Sequence, residues 1–292
     1  MRKAAVLIEA LPYIQEFRDK QVVIKFGGSA LADQKVMEDV LEDVVFLATV
    51  GIQPVLVHGG GKHISQAMER AGLEAEFVAG HRVTDRKTLG IVREVLAGEV
   101  NGRIVEQIAR HGARAVPGFQ EEKSLLRATR KTIEVHQEDG TLKRRDIGYV
   151  GEVRAVDIER LRRLEEEGDI LVVPPIGQDE SGQLYNVNAD SAAAAIACHL
   201  QAEKIVFLSN VHGIMGRPGD PDSFLSSVDR NQVDELISEG IIDGGMLPKV
   251  SACLESVASG VHKAHIIDAT LDHSLLLEIF TDEGVGTQIV SS

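Results

Sequence analysis

Lys25 lies within Val22-Val23-Ile24-Lys25-Phe26, an otherwise apolar run of strand-forming residues that ends at Gly27-Gly28. A lysine buried in such a run is costly unless its ammonium meets an anion. A place on an edge strand is the alternative. Lys249 follows Gly244-Gly245-Met246-Leu247-Pro248 where a helix is expected to begin. A cation there opposes the helix macrodipole, so structural stabilisation explains it poorly. Asn186 and Asp190, in Tyr185-Asn186-Val187-Asn188-Ala189-Asp190, stand where a loop enters an Ala-rich helix. Asp190 is either the helix N-cap or a carboxylate with work to do. Gly27-Gly28 and Gly59-Gly60-Gly61 each close a strand, where glycine lets the backbone approach a ligand and turn its N–H groups toward an anion.

Other anion motifs fail. A Walker A loop would need Gly at Leu56 and Ser or Thr at His63, and a dinucleotide G-x-G-x-x-G would need Gly at Ile64. The ten His are scattered, and His58 and His63 lack metal-ligand spacing. No Gly-x-Ser-x-Gly elbow is present. Backbone anion loops, two lysines and an aspartate suit phosphoryl transfer, where positioning and charge neutralisation supply most of the catalysis.

The elements that would position these groups alternate. Strands are expected at Val22–Phe26, Pro54–His58, Ile170–Val173, Lys204–Leu208, 264–268 and Gly286–Val290. Helices are expected at 34–50, 62–72, 86–111, 157–167, Ala189–Leu200, 230–240 and 248–260. This order implies an α/β fold, a three-layer αβα sandwich on a mostly parallel sheet with ligands beyond the carboxyl ends of its strands. Thr132–His136, Glu138-Asp139-Gly140-Thr141 and Ile147–Val150 read as a hairpin insertion. Residues 4–18 form an apolar helical stripe with Pro12 inside it, predicting a kink or restart near Leu11. That helix either caps the domain or packs on another subunit.

The 292 residues suffice for one large domain or two lobes sharing a core. With 4% aromatics and no Trp, the core must rest on Val, Ile, Leu and Ala. A net charge of −14 argues against nucleic acid or an anionic membrane as partner, so any phosphate site must be locally positive. Cys198 and Cys253 make no framework and read as small buried residues. No apolar run reaches the ~20 residues of a membrane span. Glu9 and Pro12 interrupt a start that resembles a signal peptide, so the chain reads as cytoplasmic.

At these residues the chain resembles the amino-acid-kinase family and, within it, the arginine-sensitive acetylglutamate kinases. The matching text is Val23 to Gly28, Val55 to Gly61, Arg82-Val83-Thr84-Asp85, Gly148 to Val153, Asn186 to Asp190 and Asp243 to Lys249, in order over nearly the whole chain. The resemblance implies ATP-dependent phosphorylation of the γ-carboxylate of N-acetyl-L-glutamate in arginine synthesis. It assigns Lys25 and Lys249 to the transferring phosphoryl group and Asp190 to holding both. Arg82 would grip a substrate carboxylate, with Asn186, Gly60 and Gly61 completing that site. Gly27 and Gly28 would cradle the phosphates of ATP, near Asn210, and Mg²⁺ would be held mainly through those phosphates. No protein metal site is implied.

The resemblance also implies an oligomerisation helix at 1–20, an acetylglutamate lobe at 21–200 and a nucleotide lobe at 201–292, over one continuous sheet. Glu9-Ala10-Leu11-Pro12-Tyr13-Ile14 matches the helix that interlaces a homohexamer, a trimer of dimers. His265, Glu278 and Gly284 fall where L-arginine acts as inhibitor. Three departures stand out. Asn210 replaces the usual Asp, residues 115–120 replace a Gly-rich stretch, and His81 replaces a common Leu. Kinases of the same fold acting on aspartate, glutamate, carbamate or uridylate are the nearest rivals, and a non-catalytic arginine sensor is a rival of another class.

Overall fold

The computed structural model describes residues 2–28, 30–136, 142–217, 219–281 and 284–291. Helix α1 (Arg2–Phe17) leads into β1 (Gln21–Phe26), α2 (Gln34–Thr49), β2 (Gln53–His58) and α3 (Gly61–Arg70). A small hairpin of β3 (Phe77–Val78) and β4 (His81–Arg82) precedes α4 (Arg86–Arg93), a π-helical segment over Glu94–Val100, and α5 (Asn101–Arg110). Then come β5 (Ala115–Pro117), β6 (Leu126–His136), β7 (Leu142–Val156), α6 (Ile158–Glu167), β8 (Ile170–Val173), β9 (Ile176–Gln178), β10 (Leu184–Val187) and α7 (Ala189–Leu200). The remainder holds β11 (Lys204–Ser209), β12 (Ile214–Met215), β13 (Phe224–Leu225), β14 (Ser227–Val228), α8 (Arg230–Ser238), α9 (Met246–Ala258), β15 (Lys263–Asp268), α10 (Ser274–Phe280) and β16 (Thr287–Ile289).

Among the described residues the main sheet has eight strands in the order β14-β16-β15-β11-β1-β2-β8-β5. Its ladders are parallel except where β16 runs against β15. Pleat alternation divides β1 between the two layers. Val22, Ile24 and Phe26 join the apolar layer of α2, α3, α5 and α10, and Val23 joins the layer of α6, α7, α8 and α9. Lys25, two residues after Val23, therefore faces the second layer. β1 pairs with β2 and β11 on either side. The edge-strand reading of Lys25 is thereby overturned: its strand is central and the residue is 5% exposed.

Strands β6, β7, β9 and β10 close into a small ring beside the sheet. The expected hairpin is β6–β7, antiparallel and longer than its sequence signals, with register shifts after Arg127 and Arg130. Its turn, Glu138 to Thr141, lies outside the described residues. Helix α1 passes through Pro12 without being split. Proline forfeits one ladder bond, and the helix runs on past it to buried Phe17. The single helix expected over 86–111 carries the π segment in its middle. Cys253 is buried as expected, whereas Cys198 is only half-buried.

Candidate active site

The carboxyl ends of β1, β2 and β11 lie side by side, with Phe26 opposite His58 and Leu208. Helix α7 begins beneath them. Its N-cap is Asn188, whose side chain accepts from the amides of Asp190 at 2.9 Å and Ser191 at 3.0 Å. Asp190 is therefore not the cap. It sits in the first turn, 5% exposed, with its carboxylate turned to the sheet.

There it meets both lysines. Lys25 Nζ lies 2.9 Å from Asp190 Oδ1, and Lys249 Nζ lies 3.6 Å from Oδ2. The first contact is an ion pair without hydrogen-bond alignment, leaving Oδ1 without an aligned donor. Lys249 also donates to the Gly245 carbonyl at 3.1 Å. Burial lowers the pKa of Lys249; Asp190 opposes that shift and Lys25 adds to it. Two cations share one carboxylate, so a net positive charge remains in a largely dry place.

The cluster stands between two cavities. One, of about 360 Å³, is lined by Lys25, Gly28, Gly60, Gly61, Arg82 and Asn186 among others. The other, of about 600 Å³, is lined by Lys249 with Asn210, His212, Ile214, Ile242 and Met246 among others. Asp190 belongs to the wall of the first and touches the lysine of the second. The second is mainly apolar with polar groups at its rim, the character of a pocket for a planar organic group carrying charge at one end.

Arg82 closes the far side of the smaller cavity. It is 7% exposed, and its guanidinium donates to the Gly61 carbonyl at 3.0 Å and to Ser65 Oγ at 2.8 Å. It approaches Met68 Sδ at 3.3 Å and stacks over the Phe77 ring at 4.6 Å. Burial lowers its pKa. All these partners are neutral, and among the described residues no carboxylate pairs with it. A buried cation held only by neutral partners has the capacity to take an anion from solution. Asn186 donates to Thr84 Oγ1 at 3.2 Å, and Thr84 Oγ1 donates to the Arg82 carbonyl at 2.9 Å, so the two substrate-site candidates are tied together.

Gly60 and Gly61 open α3, where the first amides lack intrahelical partners. A Cβ on Gly60 would run into the Leu96 side chain of the π segment, so any other residue there requires Leu96 to move. Gly28 borders the smaller cavity, while Gly27 backs Lys25 and Gly59. No group of three or more His, Cys, Asp or Glu among the described residues stands close enough to cage a metal ion. No helix among them is long and apolar enough to cross a membrane.

A second ionised cluster lies between β15 and α10. His265 Nδ1 is in close contact with Glu278 Oε1, and Lys204 Nζ lies 3.6 Å from the same oxygen. Glu278 Oε2 accepts from the amides of Val285 at 3.1 Å and Gly286 at 3.2 Å. Burial would raise the Glu278 pKa, but His265, Lys204 and the Val285 amide outweigh it and hold the carboxyl at about 2. Gly284 has φ 61°, and a side chain there would come within 2.8 Å of that carboxylate. His265, Glu278 and Gly284 are thus brought together. Lys204 was not anticipated, although like Lys25 it is a lysine in a buried, otherwise apolar strand, here at the head of β11 rather than near the end of β1. Ser65, Met68 and Phe77, which shape Arg82, have ordinary sequence contexts and left no such signal.

Residues 20–268 match the amino acid kinase family, and the chain belongs to that family. It is 45% identical over 290 residues to the acetylglutamate kinase of Heliobacterium modesticaldum, covering 99% of this chain and 98% of that one. It is 46% identical over 291 residues to that of Syntrophomonas wolfei, covering 100% and 98%. Within the family the chain thus groups with the acetylglutamate kinases, and it is a phosphotransferase with a carboxyl group as acceptor. Among solved structures it resembles N-acetylglutamate synthase from Neisseria gonorrhoeae at 28% identity. The complex with coenzyme A and N-acetyl-glutamate superposes with TM-score 0.81, over 99% of this chain and 63% of that one. The complex with coenzyme A and L-arginine gives 0.76, over 98% and 65%.

Proposed function

We propose that the chain transfers the γ-phosphoryl group of ATP to the γ-carboxylate of N-acetyl-L-glutamate, giving N-acetyl-L-glutamyl 5-phosphate, and that L-arginine inhibits it. One observation carries the reading: two ammonium groups and a shared carboxylate stand at the junction of two cavities. Acetylglutamate in the smaller cavity would place one carboxylate on Arg82, with Asn186 orienting the acetylated amine end. Its second carboxylate would then reach toward Lys25 and the amides of Gly60 and Gly61. ATP in the larger cavity would lie along Asn210, its phosphates pointing at Lys249 and Gly28. On this arrangement residues 21–200 act as the acceptor lobe and 201–292 as the nucleotide lobe.

Charge on the migrating phosphoryl group spreads over its equatorial oxygens as the bond to ADP loosens. Lys25 and Lys249 oppose that charge from either side, and Asp190 keeps them from repelling each other apart. Mg²⁺, which retains most of its water and binds few carboxylates, would be held through the phosphates and would supply further charge neutralisation. Arginine fits the second cluster because a guanidinium would compete with His265 and Lys204 for Glu278. The apolar face of α1, with Ile8 67% exposed, supports its use in assembling a hexamer.

The test is ATP consumption with acetylglutamate, free glutamate, aspartate, carbamate or uridylate as acceptor. Turnover confined to acetylglutamate is expected, and equal or better turnover with any other acceptor rejects the reading. An arginine titration should depress the rate in the native protein and fail to do so after Glu278→Gln. A flat native curve removes the inhibition from the proposal.

A further inference from the structure

Beneath the glycine loop lies a buried pair that none of the roles above uses. His58, the last residue of β2, is 0% exposed, and Asn101, the first residue of α5, is 1% exposed. His58 Nδ1 lies 2.8 Å from the carbonyl of Gly59. Asn101 Nδ2 lies 3.1 Å from His58 Nε2 and 3.1 Å from the Val172 carbonyl on β8.

Donor and acceptor chemistry fixes the proton positions. A carbonyl only accepts, so Nδ1 carries the imidazole proton and Nε2 of the neutral ring is bare. Asn101 must then present its NH₂, because both of its neighbours are acceptors. Its Oδ1 is left buried without a partner. Such an orphan costs free energy, so the amide is held here against a local preference. Burial keeps the ring neutral, at a pKa of about 4 against the opposing Gly59 bond, and His63 on α3 adds to that lowering.

The pair pins the loop that faces the substrate. Gly59 donates its N–H to the Phe26 carbonyl at 2.7 Å while its own carbonyl accepts from His58 Nδ1. Both sides of this residue are fixed, and the free amides of Gly60 and Gly61 come directly after it. Asn101 is also the first residue beyond the π segment, whose Leu96 occupies the space that a Cβ on Gly60 would need. π segments recur at functional sites because the extra residue re-aims the next helical turn.

We propose that Asn101 is a positioning residue: it locks His58 in the Nδ1–H tautomer, so that the Gly59–Gly61 loop presents its amides to the reacting acceptor. This rests on the kinase reading of the cavity, which it deepens. Asn101→Ala should lower kcat/KM for acetylglutamate about 10–100-fold, the usual cost of misplacing a reacting group by an ångström, with KM for ATP unchanged. Asn101→Asp tests the tautomer itself. A carboxylate only accepts, so Nε2 must carry a proton. At low pH the imidazolium serves both Gly59 and Asp, and activity should recover in part, the Val172 carbonyl still lacking its donor. As pH rises and one proton leaves, Nδ1 turns a lone pair on the Gly59 carbonyl, and activity should fall through neutrality where the wild type does not.

¹⁵N spectra of histidine-labelled wild-type protein should show His58 neutral and protonated at Nδ1 between about pH 6 and 8. This measurement decides the tautomer even if a variant fails to fold. Wild-type protein active on acetylglutamate but with His58 protonated at Nε2 overturns the positioning role. So do an Asn101→Ala enzyme that loses melting temperature with unchanged kinetics, and an Asn101→Asp pH profile identical to wild type. A wild type inactive on acetylglutamate, with the His58 signature intact, rejects the function and leaves the tautomer standing.

Discussion

Asp190 answers two cations with one charge, and the deficit defines what the site lacks. A phosphoryl group in flight would supply the missing negative charge, so the cluster should be tighter around the transition state than around either substrate. Lys25→Ala is expected to reduce kcat by about 10²–10³-fold, the range for removing one preorganised charge donor, with the far-UV circular dichroism unaltered. Lys249 remains to neutralise Asp190, which is why the fold should survive. The lowered pKa of Lys249 gives a sign for pH. Its ammonium is present below that pKa and lost above it, so kcat should decline on the alkaline side before ordinary lysines titrate. An alkaline limb no earlier than that of an unperturbed lysine would remove Lys249 from the chemistry. Lys25 and Asp190 were legible because a charge amid apolar neighbours has few explanations. His58 and Asn101 were not, since neither type is unusual beside glycine or in a helix, and only their distances reveal the pair.

At the scale of elements, the fit of the π segment against the glycine loop carries a prediction. Gly60→Ala should raise KM for acetylglutamate, because the new methyl group meets Leu96. Leu96→Ala in the same chain should restore much of the loss by clearing that space. No restoration would mean that the loop responds to something other than this contact. The long strands and helices of the sheet were readable from periodicity, and Ile170–Val173 and Ala189–Leu200 fall on their expected bounds. The π segment escaped because one added residue per turn barely alters the apolar spacing of 86–111. Strands β3, β4, β9 and β12 to β14, each of two or three residues, are too short for any alternation to register. Their pairing comes from the ring and the hairpins around them.

Across the whole molecule, a strongly acidic chain keeps cations where the carboxyl ends of the strands converge. Lys25, Arg82 and Lys249 come from three distant stretches of sequence, yet one sheet sets their spacing. The order of strands in that sheet sets a timetable for synthesis on the ribosome. β1 is among the first elements to emerge, but one of its two partners, β11, begins only at Lys204, opposite Val22. Until then a nascent chain carries a six-residue, mostly apolar strand with an open side, the kind of surface that recruits other chains. A fragment ending before Lys204 is therefore expected to precipitate on expression, and co-expression of the missing part should bring it back into solution. A freely soluble, monodisperse fragment would show that another segment shields the open side meanwhile.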